Sequence, residues 1–213
     1  NCAPLADIAE DATHPFLYNR LYGRDVNSVI DAARVCADAH LAGGVLPVLK
    51  HIPGHGRATT DSHLHLPQVD APREVLEVHD FAPFKALNDL PFGMTAHIVF
   101  SDIDPDQSAT TSAKMIEVIR NDIGFDGILM TDDLSMEALS GTLMDRTTKS
   151  IAAGCDIILH CNGDRDEMME IAHAAGDLSP MGQIRANRAL AMRKTPENID
   201  IPQLEAELEA LLS

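Results

Sequence analysis

The chain has 213 residues, 45% apolar and 23% charged, which suits one sizeable hydrophobic core and is short for two domains. Its 33 acidic and 16 basic residues give a net charge of −17, a surface that repels phosphate backbones and anionic headgroups, so neither nucleic acid nor membrane partners are expected. No apolar run approaches the roughly 18 residues of a membrane span, and Asn1 to Asp7 has no basic segment ahead of its apolar residues, as a signal peptide would.

Short apolar runs alternate with longer amphipathic ones along the chain. Cys2 to Ile8 is the first strand candidate. Asp25 can cap a helix whose apolar positions Val26, Val29, Ile30, Ala33 and Leu41 share one face, ended by Gly43-Gly44. A strand over Val45 to Lys50 follows, then a helix marked by Val75, Val78 and Phe81, and a strand over Met94 to Phe100. Met115, Ile116 and Ile119 suggest the next helix, and Gly127 to Thr131 the next strand. A helix over Leu143 to Ala153 stops at Gly154, just before a strand over Asp156 to His160. Leu204, Leu208, Leu211 and Leu212 mark a closing amphipathic helix.

Alternating strands and helices at this spacing predict an α/β fold with a parallel sheet. An open doubly wound sheet would carry a Gly-rich phosphate turn after an early strand, and none is present. A (β/α)8 TIM-type barrel places its chemistry on the loops after strand C-termini, where the unusual residues of this chain fall. Residues 1–213 are therefore read as a single catalytic barrel domain. Of the four cysteines, Cys155 and Cys161 end one strand-like run, too far apart for a disulfide, while Cys2 and Cys36 show no pairing motif. All four read as small buried hydrophobes in a reducing compartment, the cytoplasm.

The densest polar cluster follows the second strand candidate, from Lys50-His51-Ile52-Pro53-Gly54-His55-Gly56-Arg57 through Asp61-Ser62-His63-Leu64-His65 to Pro67. Four of the ten histidines lie in these 18 residues, and Pro53, Gly54 and Gly56 break any helix. A loop this rich in titratable groups is a site candidate; Arg57 and His65 read as solvated surface positions on it. A second cluster, Thr131-Asp132-Asp133-Leu134-Ser135, ends the fourth strand candidate, where a carboxylate faces a bound ligand. Asp132 is assigned to chemistry and Asp133 to capping or support. A metal-dependent hydrolase using His51, His55, His63 and His65 is the rival from another class. It lacks a helical His-x-x-x-His spacing, and Lys50 beside His51 would oppose a cation. A non-catalytic binding or scaffold protein built on a truncated barrel is the other alternative.

The combination Lys-His-Ile-Pro-Gly-His-Gly, Asp-Ser-His, Gly-Phe-Asp-Gly-Ile and Thr-Asp-Asp-Leu-Ser-Met closely resembles the β-N-acetylhexosaminidases of glycoside hydrolase family 3, the muropeptide-recycling type. Asn1 to Asp7, Asn19-Arg20-Leu21-Tyr22-Gly23 and Met94-Thr95-Ala96-His97 support it. The resemblance implies a retaining glycosidase, monomeric, without metal or cofactor, acting on a small-molecule sugar substrate with terminal β-linked N-acetylglucosamine. Asp132 matches the nucleophile, His63 the acid/base and Asp61 the carboxylate paired with it. Lys50 and His51 match the pair that holds sugar hydroxyls, Arg20 matches a further sugar-binding position, and His97 is a further pocket candidate. A His with an unperturbed pKa near 6.5 suits proton exchange at neutral pH, and a neighbouring Asp can orient it. The family barrel has eight strands and this chain enters at what resembles the third, so further strands are expected upstream.

Overall fold

The structure, a computed structural model, describes residues 1–61 and 65–213. A short helix, α1 (Pro15–Tyr18), precedes α2 (Val26–Ala42). The Asp25 carboxylate accepts from the Asn27 and Ser28 N–H groups, so the predicted cap forms, and α2 buries Val29, Ala33 and Ala37. Next come β1 (Val48–Ile52), β2 (Gln68–Val69), α3 (Arg73–Val78), α4 (Ala82–Ala86), β3 (Phe92–Thr95) and β4 (Val99–Phe100). Helix α5 (Ala113–Glu117) continues into a π-helical turn, Val118–Asp122, and leads to β5 (Ile128–Asp133). In α6 (Leu143–Ala153), Thr142 and Asp145 form a reciprocal capping box, and Gly154 ends the helix at φ +116°. The chain closes with β6 (Ile157–Leu159), α7 (Arg165–Ala175), α8 (Pro180–Ala191) and α9 (Ile201–Leu212).

The main sheet is wholly parallel, in the order β1-β3-β5-β6, so its strands lie side by side in chain order. This is the predicted α/β architecture. Strands β2 and β4 pair separately as a two-stranded parallel sheet. All five residues of β1 are buried, as a strand covered on both faces requires. Strict alternation would set Leu49 and Ile52 on opposite faces. The register shifts between Lys50 and Ile52, and both apolar side chains join the same core with Phe84, Ile119 and Phe125. Lys50 and His51 lie between them.

Several predicted elements differ in detail. Cys2 to Ile8 forms no ladder beyond a parallel bridge from Leu5 to Lys50, because Pro4 has no N–H to give. The strand predicted over Met94 to Phe100 divides into β3 and β4, with His97 turned inward between them. In α3 the buried residue is Leu76, while Val75 and Val78 face solvent. The closing helix forms, but α9 buries no residue. All four cysteines are free; Cys155 is buried, Cys36 half-buried, and Cys2 and Cys161 are exposed, so the hydrophobe reading holds for Cys155. No described helix is long and apolar enough to cross a membrane.

Buried charge ties the helices to the N-terminal ends of the strands. Asp156 accepts from Arg120 at 2.7 Å, from Arg185 at 3.1 Å and from the Leu129 N–H at 3.0 Å, with its side chain only 4% exposed. Removing one partner leaves the other charges uncompensated, which costs about 3–5 kcal/mol. Asp156→Ala is therefore expected to lower the melting temperature by roughly 6–20 °C for a chain of this size, read by calorimetry. A change under about 2 °C would contradict this account. Beyond these Asp156 ion pairs, a cavity of about 730 Å³ lies between β6, α7 and α8, lined by Ile157, Ile158, Leu159, Met168 and Ile171.

Candidate active site

The C-terminal ends of β1 and β5 bring the two sequence clusters together. Lys50 and His51 leave the end of β1, and Asp132 stands one residue before the end of β5. His51 Nε2 lies 3.9 Å from Asp132 Oδ2, and the Asp132 side chain keeps 19% of its surface open to solvent. The burial of Asp132 favours its neutral form, but His51, His97 and the Asp133 N–H outweigh this and hold its carboxyl below the usual carboxylate range. Asp132 is thus an ionised, partly accessible carboxylate at neutral pH. Burial, and then the charge of nearby Arg20, lowers the Lys50 pKa, while the Asp132 and Asp7 charges oppose them. Arg20 itself lies exposed in the turn after α1.

The orientation of His51 is set from behind by Asp7, on the segment bridged to β1. His51 Nδ1 donates to Asp7 Oδ2 at 2.8 Å, and the His51 and His55 backbone N–H groups donate to the same carboxylate at 3.2 and 2.7 Å. Asp7 is fully buried; burial alone would raise its pKa, and His51 and His55 bring it down instead. With Nδ1 carrying a proton toward Asp7, Nε2 is the nitrogen that faces Asp132. The sequence reading missed Asp7 as a functional residue and used it only as part of the Asn1–Asp7 signature. The available signal was the one used for Asp132: an acidic residue ending an apolar run.

His97 is fully buried, with both ring nitrogens engaged inside the protein. Nε2 donates to the Asp133 carbonyl at 3.0 Å, and the Thr110 hydroxyl lies 2.7 Å from Nδ1, itself 2.8 Å from the Thr95 hydroxyl. Burial lowers the His97 pKa, and the ring fixes the backbone next to Asp132. Asp133 plays the expected supporting part without capping a helix: its carboxylate accepts from Ser135 N–H and Oγ at 3.0 and 2.6 Å and from the Cys161 N–H at 3.1 Å. These bonds join the ends of β5 and β6.

The loop after β1 is irregular, as its prolines and glycines predict. Asp61 is half-buried on it, and its carbonyl accepts from the His65 N–H at 2.9 Å. His63 lies outside the described residues. His65 is exposed. His55 is fully buried, its ring edge-on to His51 and Phe16, and burial followed by the His51 charge lowers its pKa to about 4. Arg57 is not a solvated surface position: its side chain is three-quarters buried and ion-paired to Asp80. Among the described residues, no three His, Cys, Asp or Glu side chains gather as metal ligands.

A parallel α/β sheet with an ionised carboxylate, an anchored imidazole and a lysine gathered at its strand ends defines an α/β protein with a cluster of titratable groups where such folds place their sites. The chain belongs to glycosyl hydrolase family 3: residues 1–191 match the profile of the Glycosyl hydrolase family 3 N terminal domain. It is 34% identical over 165 residues to a β-hexosaminidase of Glaesserella parasuis, covering 75% of this chain and 48% of that protein. It is 33% identical over 190 residues to one of Alkalilimnicola ehrlichii, covering 87% of this chain and 54% of that protein. Among solved structures it is similar to a family 3 β-N-acetylglucosaminidase from Paenibacillus sp. (TM-score 0.82, 28% identity, 94% of this chain and 42% of that one). It is also similar to native NagZ from Neisseria gonorrhoeae (TM-score 0.69, 27% identity, 91% and 62%). The chain spans about half the length of these curated relatives.

Proposed function

We propose that this chain is the catalytic part of a retaining β-N-acetylhexosaminidase that removes terminal non-reducing β-linked N-acetylglucosamine, with muropeptides of cytoplasmic peptidoglycan recycling as its substrates. The observation that carries this reading is Asp132, held ionised at a strand end beside an imidazole that Asp7 orients. In the first step an Asp132 oxygen attacks the anomeric carbon, the glycosidic C–O bond breaks, and the His63 imidazolium gives its proton to the departing oxygen. In the second, His63 takes a proton from water, whose oxygen displaces Asp132 and releases the sugar with its β configuration retained. Asp61 orients His63 in this scheme, and Lys50, His51 and Arg20 bind ring hydroxyls. No cofactor or metal enters the reaction, and the enzyme works as a monomer.

The barrel reading belongs to the same proposal. The strands of the main sheet are parallel and laid out in chain order, and the edge of β6 faces an apolar cavity. Further parallel strands laid on that edge would close a (β/α)8 barrel, the arrangement that gathers strand C-termini into one mouth. The metal-dependent alternative has less support, since His51 Nδ1 is committed to Asp7.

Trapping the intermediate tests the proposal. After reaction with an activated fluoro-sugar analogue of N-acetylglucosamine, mass spectrometry of the digested protein is expected to find one added sugar, on the peptide containing Asp132. An adduct on a different side chain, or turnover with no adduct and an inverted product, would overturn it. A sugar bound reversibly with neither turnover nor adduct would leave the non-catalytic reading in its place.

A further inference from the structure

We propose that Arg57 is a positioning residue, clasping Asp80 and Glu10 and so fixing the stem of the loop that carries Asp61. The inference rests on the glycosidase reading above, in which Asp61 orients the proton donor. Arg57 Nε donates to Asp80 Oδ2 at 2.8 Å, and one terminal nitrogen lies 3.3 Å from Glu10 Oε1. Asp80 is 4% exposed, so Arg57 balances a buried charge and does not merely decorate the surface. The Glu10 end is half-exposed and contributes less.

The clasp is one of four fastenings along the loop stem. His55 N–H is held by Asp7 at 2.7 Å, and Thr13 Oγ1 donates to the Gly56 carbonyl at 2.6 Å. The His14 N–H donates to the Ala58 carbonyl at 3.1 Å. Gly56 itself presses on the first segment so closely that a Cβ there would lie 1.7 Å from the Ile8 carbonyl oxygen. Thr59 and Thr60, next in the chain, are exposed, and Asp61 follows. Arg57 is thus the last charged anchor before the proposed acid/base machinery. A guanidinium forked between two carboxylates sets both the position and the angle at which the chain departs, which a point-charge lysine does less well.

Arg57→Ala and Arg57→Lys in the full chain test the proposal with two readouts. The first is hydrogen exchange at the Ala58 and His65 N–H groups, which bond to His55 and Asp61 carbonyls. Exchange there is expected to speed up at least tenfold in Arg57→Ala, with partial recovery in Arg57→Lys and little change in the strands; unchanged exchange would overturn the clasp. The second is kcat/KM across aryl N-acetylglucosaminides of graded leaving-group ability. A poor leaving group needs the proton donor and a dinitrophenolate does not. The loss in Arg57→Ala is expected to be tenfold or more for the poor leaving group and under threefold for dinitrophenolate. An equal loss for all leaving groups would mean Arg57 acts on stability alone and would overturn positioning. If the unmodified protein hydrolyses none of these glycosides, the glycosidase reading fails and positioning of its acid/base fails with it. Faster exchange in Arg57→Ala would then uphold the clasp alone as a loop anchor.

Discussion

Asp132→Ala is expected to lower turnover of a nitrophenyl N-acetylglucosaminide by about 10⁴-fold or more, the scale on which removing a nucleophile acts. Asp132 is kept ionised by neighbouring imidazoles despite its burial, and its oxygen faces His51 Nε2 at 3.9 Å. Alanine leaves a space where that oxygen stood without disturbing the strand, whose backbone stays fastened through Asp133 and His97. A small anion should enter the space. Added azide is therefore expected to restore turnover and to yield the glycosyl azide of α configuration, since one displacement replaces two. Undiminished hydrolysis by the variant, or a β-configured azide product, would eliminate Asp132 as the attacking group.

Asp7→Asn is expected to have the second largest effect, on stability and activity together. The Asp7 carboxylate receives three N–H groups from His51 and His55 without solvent to share the load. An amide keeps one oxygen and turns two donors toward donors, so buried N–H groups lose their partners. Breaking a buried charged network of this kind costs about 3–5 kcal/mol. The melting temperature should then fall by about 10 °C. kcat/KM should fall on the order of 10²-fold, as for one misplaced donor, because His51 loses the bond that points Nε2 toward Asp132. The acid limb separates this from a generic packing defect. The folded pKa of Asp7 is depressed, so its contribution to stability is full above its unfolded value, about 3.9, and is lost as pH falls through the lower folded value. Wild-type stability should therefore drop on acidification below about pH 4, and Asp7→Asn should lack much of that drop. Parallel acid limbs in the two proteins would refute the role given to Asp7.

Both predictions treat the strand ends as one electrostatic unit. Asp7 fixes His51, His51 and His97 sustain the charge on Asp132, and Lys50 sits beside them with its pKa lowered by burial and by Arg20. Substitutions within this unit should therefore be strongly non-additive, whereas Asp156→Ala, at the other end of the strands, should add independently to any of them.

Local chemistry made much of this protein legible without coordinates. Apolar runs of strand length between amphipathic stretches imply a parallel α/β sheet, and the Asp25 cap and Gly154 stop read correctly because a helix end is satisfied by residues a few positions away. Proline and glycine in the stretch after β1 require a loop, and an acidic residue ending an apolar run placed Asp132 at a strand end. The tertiary structure alone decided what depended on distant partners. Pro4 broke the first ladder because of what lies opposite it, and Val75 and Val78 faced solvent because Leu76 met the core. Asp7 became the anchor of His51 across 44 residues, and Arg57, read as a surface residue, found its partner at Asp80. Period and capping are properties of neighbours along the chain, whereas the pairing of a buried charge is settled only when remote segments are brought into contact and water is removed from between them.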